Sequence, residues 1–286
     1  MTDTGDEQPL LLESGLYVVA TPIGNLGDWS PRARAVIAAA TVVAAEDTRV
    51  SAKLLALAGS SARMVSLTEH NVVARTPALL AAAREGVVAV VSDAGTPGVS
   101  DPGGRLVAAA HAEGIRVAPI PGASALAAAV SVAGFDGTPV VFLGFLPRPK
   151  GERLAVLSAL PPGSVAVLFE SPGRAAATLG ELAATFSDPE VTVCRELTKR
   201  FEEVRRGRAG ELAGHFTNAR GEFTVVVAVP AATAGADDRE VERYLGEMRR
   251  AGARRSGAAA EAARRFGVPR EHAYALWPEA GTDEPT

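Results

Sequence analysis

Short apolar runs alternate with helical segments through the first half of the chain, and this alternation constrains the fold more than any other feature. Five runs are predicted as strands: Leu16–Ala20, Val42–Ala45, Arg63–Leu67, Gly86–Val91 and Arg116–Ile120. Helical segments separate them, and one begins at Ser30-Pro31, a favourable pair for a helix N-terminus. This order is typical of βαβ units, so the sequence predicts an α/β fold with a mostly parallel sheet.

The segment Ser92–Gly104 (SDAGTPGVSDPGG) follows one of these strands and has an unusual composition. It contains four glycines, two prolines, two aspartates, two serines and a threonine. Glycine permits positive φ and the close approach of a ligand, and proline stiffens the turns. Open α/β sheets hold ligands at the carboxyl ends of their strands, so we interpret the segment as a ligand-binding loop rather than an ordinary surface turn.

Two further loops, Thr21–Trp29 and Pro121–Ser124, leave the predicted sheet at the same edge. Since carboxyl ends of parallel strands meet there, we expect all three loops to converge. The first loop and Asp47 partly match a dinucleotide-binding fingerprint, but the glycine spacing is incomplete, which supports an oxidoreductase only weakly. The chain has no Gly-x-x-x-x-Gly-Lys-[Ser/Thr] motif, which disfavours a nucleoside triphosphatase.

The chain is predicted to divide into four parts. Strands in the second half are predicted at Val140–Gly144, Val165–Glu170, Val191–Glu196, Phe201–Arg208 and Glu222–Val229, with more antiparallel pairing. An Ala/Gly/Asp-rich linker, Pro230–Asp238, precedes three short helices. We predict a disordered tail over residues 1–15, an N-terminal α/β domain over 16–136, a C-terminal α/β domain over 137–230, and a small Arg-rich helical module over 239–278.

Cysteine and histidine usage argues against disulfides and metal sites. A single cysteine, Cys194, excludes an internal disulfide and a cysteine-cluster metal site, which suits a reducing cytoplasm. The four histidines show no metal-ligand spacing. The N-terminal residues lack the basic flank of a signal peptide, and no apolar run is long enough to span a membrane. We therefore predict a cytoplasmic, metal-independent protein.

The net charge of −4 conceals a basic segment near the end of the chain. Residues 249–270 contain seven arginines and one acid, Glu261. Arginine makes forked contacts to phosphate and stacks on bases, so the segment indicates RNA or another polyanion as a partner. A solvated helix face explains the charge equally well.

Eight motifs occur in order between Leu16 and Val229. They are TPIGNLGD (21–28), AAEDTR (44–49), SDAGTPGVSDPG (92–103), PIPGASA (119–125), FLPR (145–148), FESPGR (169–174), RELTKRFEE (195–203) and GEFTVVV (221–227). Together they closely resemble the ribosomal RNA small-subunit methyltransferase I family, which are cytidine 2′-O-methyltransferases of the tetrapyrrole methylase superfamily. Any one motif is a weak signal, whereas eight in register are highly specific. The C-terminal helices match less well, because Ala and Arg replace a Lys-rich pattern.

The resemblance implies two α/β domains of the tetrapyrrole methylase type with S-adenosylmethionine in the cleft between them, usually in a homodimer. Carried over to this chain, the cofactor-binding residues are Pro22, Gly24, Asp93, Thr96, Val99, Ser124 and Ala125. The implied reaction is S-adenosylmethionine-dependent 2′-O-methylation of a cytidine in small-subunit (16S) ribosomal RNA. The implied partner is that RNA or the 30S particle.

Methyl transfer to a ribose hydroxyl needs an aligned oxygen and help in removing a weakly acidic proton. Within the family motifs we select Lys199 with Glu196 as the base or orienting group, since a desolvated lysine can lose its proton. Glu170 is a further catalytic candidate, or else it caps the helix that follows. The RNA-binding candidates are Arg49, Arg148, Arg174, Arg200, Arg254 and Arg255.

Three other functions stay open at this point. A tetrapyrrole methyltransferase would keep the superfamily, but the second loop has Ala94-Gly95-Thr96-Pro97 in place of the usual Gly-Gly-Asp-Pro. A non-catalytic RNA-binding or assembly factor would retain the cofactor pocket without transferring a methyl group. An oxidoreductase would need to bind a nicotinamide cofactor.

Overall fold

The computed structural model describes residues 11–136, 139–231 and 238–278, which form two β-sheets with flanking helices and a C-terminal group of helices. The first sheet contains β1 Gly15–Val19, β2 Val42–Ala45, β3 Arg63–Ser66, β4 Val87–Val91 and β5 Val117–Ile120. Its order is β3-β2-β4-β1-β5, and every pairing is parallel. The predicted parallel sheet is confirmed, with the all-apolar β4 at its centre.

Four helices cover the two faces of the first sheet. They are α1 Pro31–Ala39, α2 Thr48–Ala58, α3 Val72–Glu85 and α4 Gly104–Ala112. The strand side chains alternate between two buried clusters, so Ala89 packs on the side of α1 and α2, whereas Val88 and Val90 pack on the side of α3 and α4. Every residue of β4 is buried, as expected for a central parallel strand.

Helix α3 begins earlier than the sequence predicts. The pair Thr76-Pro77 suggests a helix start, because proline is tolerated in the first turn. The helix instead starts at Val72, and Pro77 lies inside it. Asn71 explains the earlier start, since its Oδ1 accepts a hydrogen bond from Thr68 N at 2.8 Å and so closes the turn before the helix.

The second sheet contains β6 Val140–Phe145, β7 Val165–Glu170, β8 Glu190–Arg195, β9 Glu203–Arg208 and β10 Phe223–Ala228. Its order is β6-β7-β10-β8-β9, and only the β6–β7 pairing is parallel. The expected antiparallel character is confirmed. The helices are α6 Lys150–Ser158, α7 Pro172–Thr185 and α8 Ala209–His215. No helix is predicted from the sequence at α6 or α8.

Helix α5, Ala125–Ala133, links the two sheets. It follows the third loop of the first sheet, yet its buried residues pack with Val167 of β7, Cys194 of β8 and Val226 of β10. The hydroxyl of Thr192 donates to Ala133 O at 3.0 Å. The predicted domain boundary between residues 136 and 137 stays a prediction, and residues 137–138 lie outside the described part of the chain.

The three predicted C-terminal helices are confirmed. They are α9 Asp238–Arg250, α10 Arg255–Phe266 and α11 Arg270–Ala275. They share a buried cluster that includes Val241, Leu245 and Ala259. The predicted tail over residues 1–15 and the predicted linker over 230–238 fall largely outside the described residues, since 1–10 and 232–237 are not described.

A substitution of Leu168 tests the core of the second sheet, because this side chain is fully buried on β7. We expect Leu168→Ala to lower the free energy of unfolding by about 2–5 kcal/mol, since the truncation leaves a cavity. The control is Leu57→Ala on α2, where the side chain is 51% exposed and the expected loss is below about 0.5 kcal/mol. Urea denaturation measures both, and an equal loss in the two variants would contradict the assigned core.

Candidate functional site

The three predicted loops meet at the carboxyl edge of the first sheet and are joined by hydrogen bonds. Thr21 of the first loop and Gly95 of the second form a bridge, with N···O distances of 2.8 and 3.1 Å. Thr96 Oγ1 of the second loop donates to Ala123 O of the third at 3.3 Å. The expected convergence of the loops is therefore confirmed.

A cavity of about 370 Å³ opens between these loops and the end of the second sheet where β6 and β7 finish. From the first half of the chain it is lined by residues that include Ile23, Gly95, Thr96, Val99, Asp101, Ser124 and Ala125. From the second half the lining includes Phe145, Phe169, Glu170, Gly221, Glu222 and Thr224. Four predicted cofactor-binding residues, Thr96, Val99, Ser124 and Ala125, thus share one cavity, whose size suits a small-molecule ligand.

The other three predicted cofactor-binding residues, Pro22, Gly24 and Asp93, lie outside this lining. Gly24 lies against Lys199, and a Cβ atom at residue 24 would come within 2.4 Å of Lys199 Cγ. Asp93 Oδ1 accepts a hydrogen bond from Asp47 N at 2.9 Å. A cofactor role for these three residues stays a prediction.

Glu170 ends β7 and lines the cavity with a fully buried carboxylate. Its Oε1 accepts from Ser171 N at 2.8 Å, and its Oε2 accepts from Thr178 Oγ1 at 2.7 Å. Arg174 Nη2 lies 3.3 Å from Oε2. These contacts tie Glu170 to α7, because a buried carboxylate needs several donors. One of these donors is a backbone amide and two are side chains, and the capping role of Glu170 stays a prediction.

Lys199 lies between two carboxylates. Its Nζ donates to Glu196 Oε1 at 3.0 Å and to Glu222 Oε2 at 2.8 Å. Burial lowers the pKa of Lys199, but the hydrogen bonds to Glu222 and Glu196 outweigh it, so the pKa is raised overall. The amine is therefore charged at neutral pH, which favours the orienting role over the role of a base.

The loop around Lys199 has a strained backbone. Glu196 and Thr198 have φ angles of +52° and +67°, which residues with side chains seldom adopt. Such strain concentrates at functional sites, where the surrounding structure holds an unfavourable conformation in place. The sequence motif marks this loop, but nothing local in it predicts that Lys199 reaches the first loop at Gly24.

Two carboxylates at the edge of the first sheet, Asp101 and Glu46, are not among the predicted site residues. Burial, together with the charge of Asp93, raises the pKa of Asp101, although a hydrogen bond with Ser92 opposes the shift. Burial and the charges of Asp101 and Asp93 also raise the pKa of Glu46. Asp101 lines the cavity. It is the second aspartate of the motif SDAGTPGVSDPG, and its place in that motif was the sequence signal that could have identified it.

The predicted RNA-binding arginines differ in their surroundings. Exposed residues are Arg49, Arg148, Arg200, Arg254 and Arg255. Arg49 pairs with Asp47 at 2.6 Å, and its guanidinium lowers the pKa of that carboxyl to about 2. Arg255 lies 4.1 Å from the ring centroid of Tyr274 and donates to its carbonyl oxygen. Arg174 is only partly exposed and donates to Leu146 O at 3.2 Å, so part of its role is structural.

Residues 11–136, 139–231 and 238–278 contain no group of three His, Cys, Asp or Glu side chains arranged to hold a metal ion. Within the same ranges, no helix combines the length and the apolar character that crossing a membrane requires.

Sequence comparison relates the chain to methyltransferases. The model of the Tetrapyrrole (Corrin/Porphyrin) Methylases matches residues 15–213. The "Ribosomal RNA small subunit methyltransferase I" of Mesorhizobium japonicum is 45% identical, covering 92% of this chain and 91% of that protein. The protein of the same name from Synechocystis sp. is 40% identical, covering 94% of this chain and 99% of its own length.

Solved structures confirm the expected fold. Uroporphyrin-III-C-methyltransferase from Thermus thermophilus superposes with a TM-score of 0.54 at 24% identity, covering 76% of this chain and 96% of that one. A second structure of that enzyme, complexed with S-adenyl homocysteine, gives a TM-score of 0.53 at 22% identity, covering 75% of this chain and 98% of that one. A diphthine synthase gives 0.57 at 16% identity, covering 74% of this chain and 89% of that one. Likeness at these identities establishes the architecture alone.

Gly24→Ala tests the contact between the first loop and Lys199. We expect a loss of about 1–3 kcal/mol in the free energy of unfolding, since the new methyl group would overlap the Lys199 stem and displace its ion pairs. Gly180→Ala is the matched control, because a Cβ atom there meets nothing within 4 Å and lies inside α7. Chemical denaturation should show no loss in the control, and a neutral Gly24→Ala would contradict the close approach.

Proposed function

The chain belongs to the ribosomal RNA small subunit methyltransferase I family of the tetrapyrrole methylases, and on this premise we propose the following reaction. The protein transfers the methyl group of S-adenosylmethionine to the ribose 2′-hydroxyl of a cytidine in small-subunit (16S) ribosomal RNA. The S–CH3 bond breaks as the O–CH3 bond forms, so S-adenosylhomocysteine leaves and the hydroxyl proton passes to solvent. The observation that carries the proposal is the cavity between the two sheets, at the edge where the family motifs meet.

The lining of the cavity fits S-adenosylmethionine. Small and apolar side chains predominate, and three carboxylates contribute, from Asp101, Glu170 and Glu222. Its described lining residues include no lysine or arginine. A ligand with an apolar body fits these surroundings. Its positively charged sulfonium and ammonium groups are favoured near Asp101, since Glu170 and Glu222 are already paired with Arg174 and Lys199.

In the proposed complex, Thr96, Val99, Ser124 and Ala125 contact the cofactor directly, and Pro22, Gly24 and Asp93 border it. When bound, S-adenosylmethionine supplies a methyl group on a positively charged sulfur, which needs no further activation. The interlocked loops hold its binding residues in place before the substrate arrives, and the apolar lining keeps water out.

We assign Lys199 the role of orienting group and Glu196 the role of its positioning partner. Two carboxylates keep the ammonium charged, and Gly24 lets its stem lie against the first loop. The ammonium uses one N–H for each carboxylate, and its third N–H would donate to the ribose oxygen of the substrate and stabilise the negative charge that develops there. Glu170 supports the site as a positioning residue through Arg174 and the start of α7.

We propose that the exposed arginines Arg49, Arg148 and Arg200, with Arg254 and Arg255 of the C-terminal part of the chain, supply phosphate contacts to the RNA. We propose that the partner is the 30S particle or its RNA, that the protein acts in the cytoplasm, and that it works as a homodimer without a metal ion.

The reaction is tested with purified protein, labelled S-adenosylmethionine and small subunits from a strain that lacks the enzyme. We expect label in the RNA at the 2′-oxygen of a cytidine, mapped by resistance of the adjacent bond to alkaline cleavage. Subunits from the parent strain are the control and should accept little label. Cofactor binding by calorimetry without any transfer would instead favour the non-catalytic assembly factor, and transfer to a porphyrinogen would favour a tetrapyrrole substrate.

Lys199→Met should reduce kcat for methyl transfer by about 10²–10³-fold, because the charged donor that we propose for the ribose oxygen is lost. Lys199→Arg keeps the charge and should lose less. Since the pKa of Lys199 is raised, the wild-type rate should not fall through lysine deprotonation between about pH 7 and 10. Single-turnover assays measure the rates, and unchanged kcat in Lys199→Met would refute the orienting role.

A further inference from the structure

Strand β6 contains a bulge just before it reaches the cavity. Phe142 pairs with Val167 and Gly144 pairs with Leu168, so Leu143 has no partner on β7. Gly144 has a φ of +59°, and a Cβ atom there would lie 2.6 Å from Ser100 Oγ of the second loop. Bulges redirect the side chains that follow them and are common next to active sites. The redirected side chain here is Phe145.

Phe145 lines the cavity and yet is 59% exposed. Its ring makes a T-shaped contact with Phe169, at a centroid distance of 5.7 Å and an interplanar angle of 63°. Most of the ring surface is therefore uncovered at the mouth of the cavity. An aromatic ring in this position offers a flat apolar surface to a second ring system.

The backbone after Phe145 is fixed by two arginines. Arg174 donates to Leu146 O at 3.2 Å, and Arg153 donates to Pro147 O at 3.2 Å. Arg153 is itself paired with Glu181 at 2.5 Å, with both side chains largely buried. The Phe145 ring is thus attached to a backbone that is already ordered, which lowers the entropy cost of binding a ligand.

We propose that Phe145 is a stacking platform for a base of the RNA substrate, next to the nucleotide whose ribose is methylated. This inference rests on the proposed function. A nucleotide must unstack from the adjacent bases before its ribose can enter a cavity. Stacking on an aromatic side chain offsets part of the free-energy cost of this unstacking. Exposed Arg148 and Lys150 lie three and five residues after Phe145 and suit the phosphates on either side of a stacked base.

The exposure of Phe145 indicates that its ring stacks on a base of the RNA rather than on the adenine of the cofactor. A cofactor that fills the cavity is enclosed by its lining, whereas the Phe145 ring is largely open to solvent at the mouth. The basic residues beside it also suit a polyanion better than a cationic ligand. The base of a bound RNA chain is therefore the occupant that fits both the exposure and the charge.

The test compares Phe145→Leu and Phe145→Tyr in methyl transfer to small subunits from a strain lacking the enzyme. We expect Phe145→Leu to raise KM for the subunits between about 5- and 150-fold, the range expected for a lost base stack, with the calorimetric Kd for S-adenosylmethionine unchanged. Phe145→Tyr keeps the ring and should keep KM near the wild-type value. Rescue by tyrosine distinguishes stacking from simple apolar packing.

Leu57→Ala is the control, since Leu57 is 51% exposed on α2 and does not line the cavity. It should leave KM unchanged. Wild-type KM in Phe145→Leu, or an equal rise in the control, would overturn the inference while the proposed function stands. A weaker Kd for S-adenosylmethionine, or a change of oligomeric state by light scattering, would assign the ring to the cofactor or to a subunit contact and also overturn it. If wild-type protein transfers no methyl group to the subunits, the proposed function fails and the inference fails with it.

Discussion

The candidate site depends on two places where the halves of the chain approach so closely that only glycine fits. A Cβ atom at Gly24 would lie 2.4 Å from Lys199 Cγ, and one at Gly144 would lie 2.6 Å from Ser100 Oγ. Each contact joins a loop or strand near one sheet to a side chain from the other half of the chain. Glycine at both positions lets the edges of the two sheets lie close enough for residues from both halves of the chain to line one cavity.

Glu170 connects the interior of this site to its mouth. A buried carboxylate is costly unless several donors satisfy it, and Ser171, Thr178 and Arg174 supply these donors. Arg174 then donates to the backbone that follows Phe145. Removing Glu170 would therefore disturb the exposed loop as well as the cavity wall, and loss of activity on its substitution is not by itself proof of a chemical role.

Much of the first sheet could be predicted from the sequence, because strands buried on both faces are continuous apolar runs such as Val87–Val91. The position of the site followed from the same topology, since loops after parallel strands share an edge, which brought Thr96 and Ser124 to one cavity. The contact of Lys199 with Gly24 and the raised pKa of Asp101 could not be predicted. Both depend on groups that are distant in sequence and meet only in the folded chain.

Carboxylates line the cavity, whereas a basic side chain lies near its mouth. This difference relates the shared fold to the proposed substrate. Asp101 and Glu170 line the cavity, whereas Arg148 lies exposed three residues beyond the Phe145 ring at its mouth. Relatives of the fold that are only 16–24% identical share the two sheets, so the sheets alone do not define what is methylated. The Asp101 carboxylate in the cavity wall suits a cationic methyl donor. A basic residue and an exposed aromatic ring near the mouth suit a polyanion with stacked bases, so we propose that these loop residues, rather than the sheets, select the substrate.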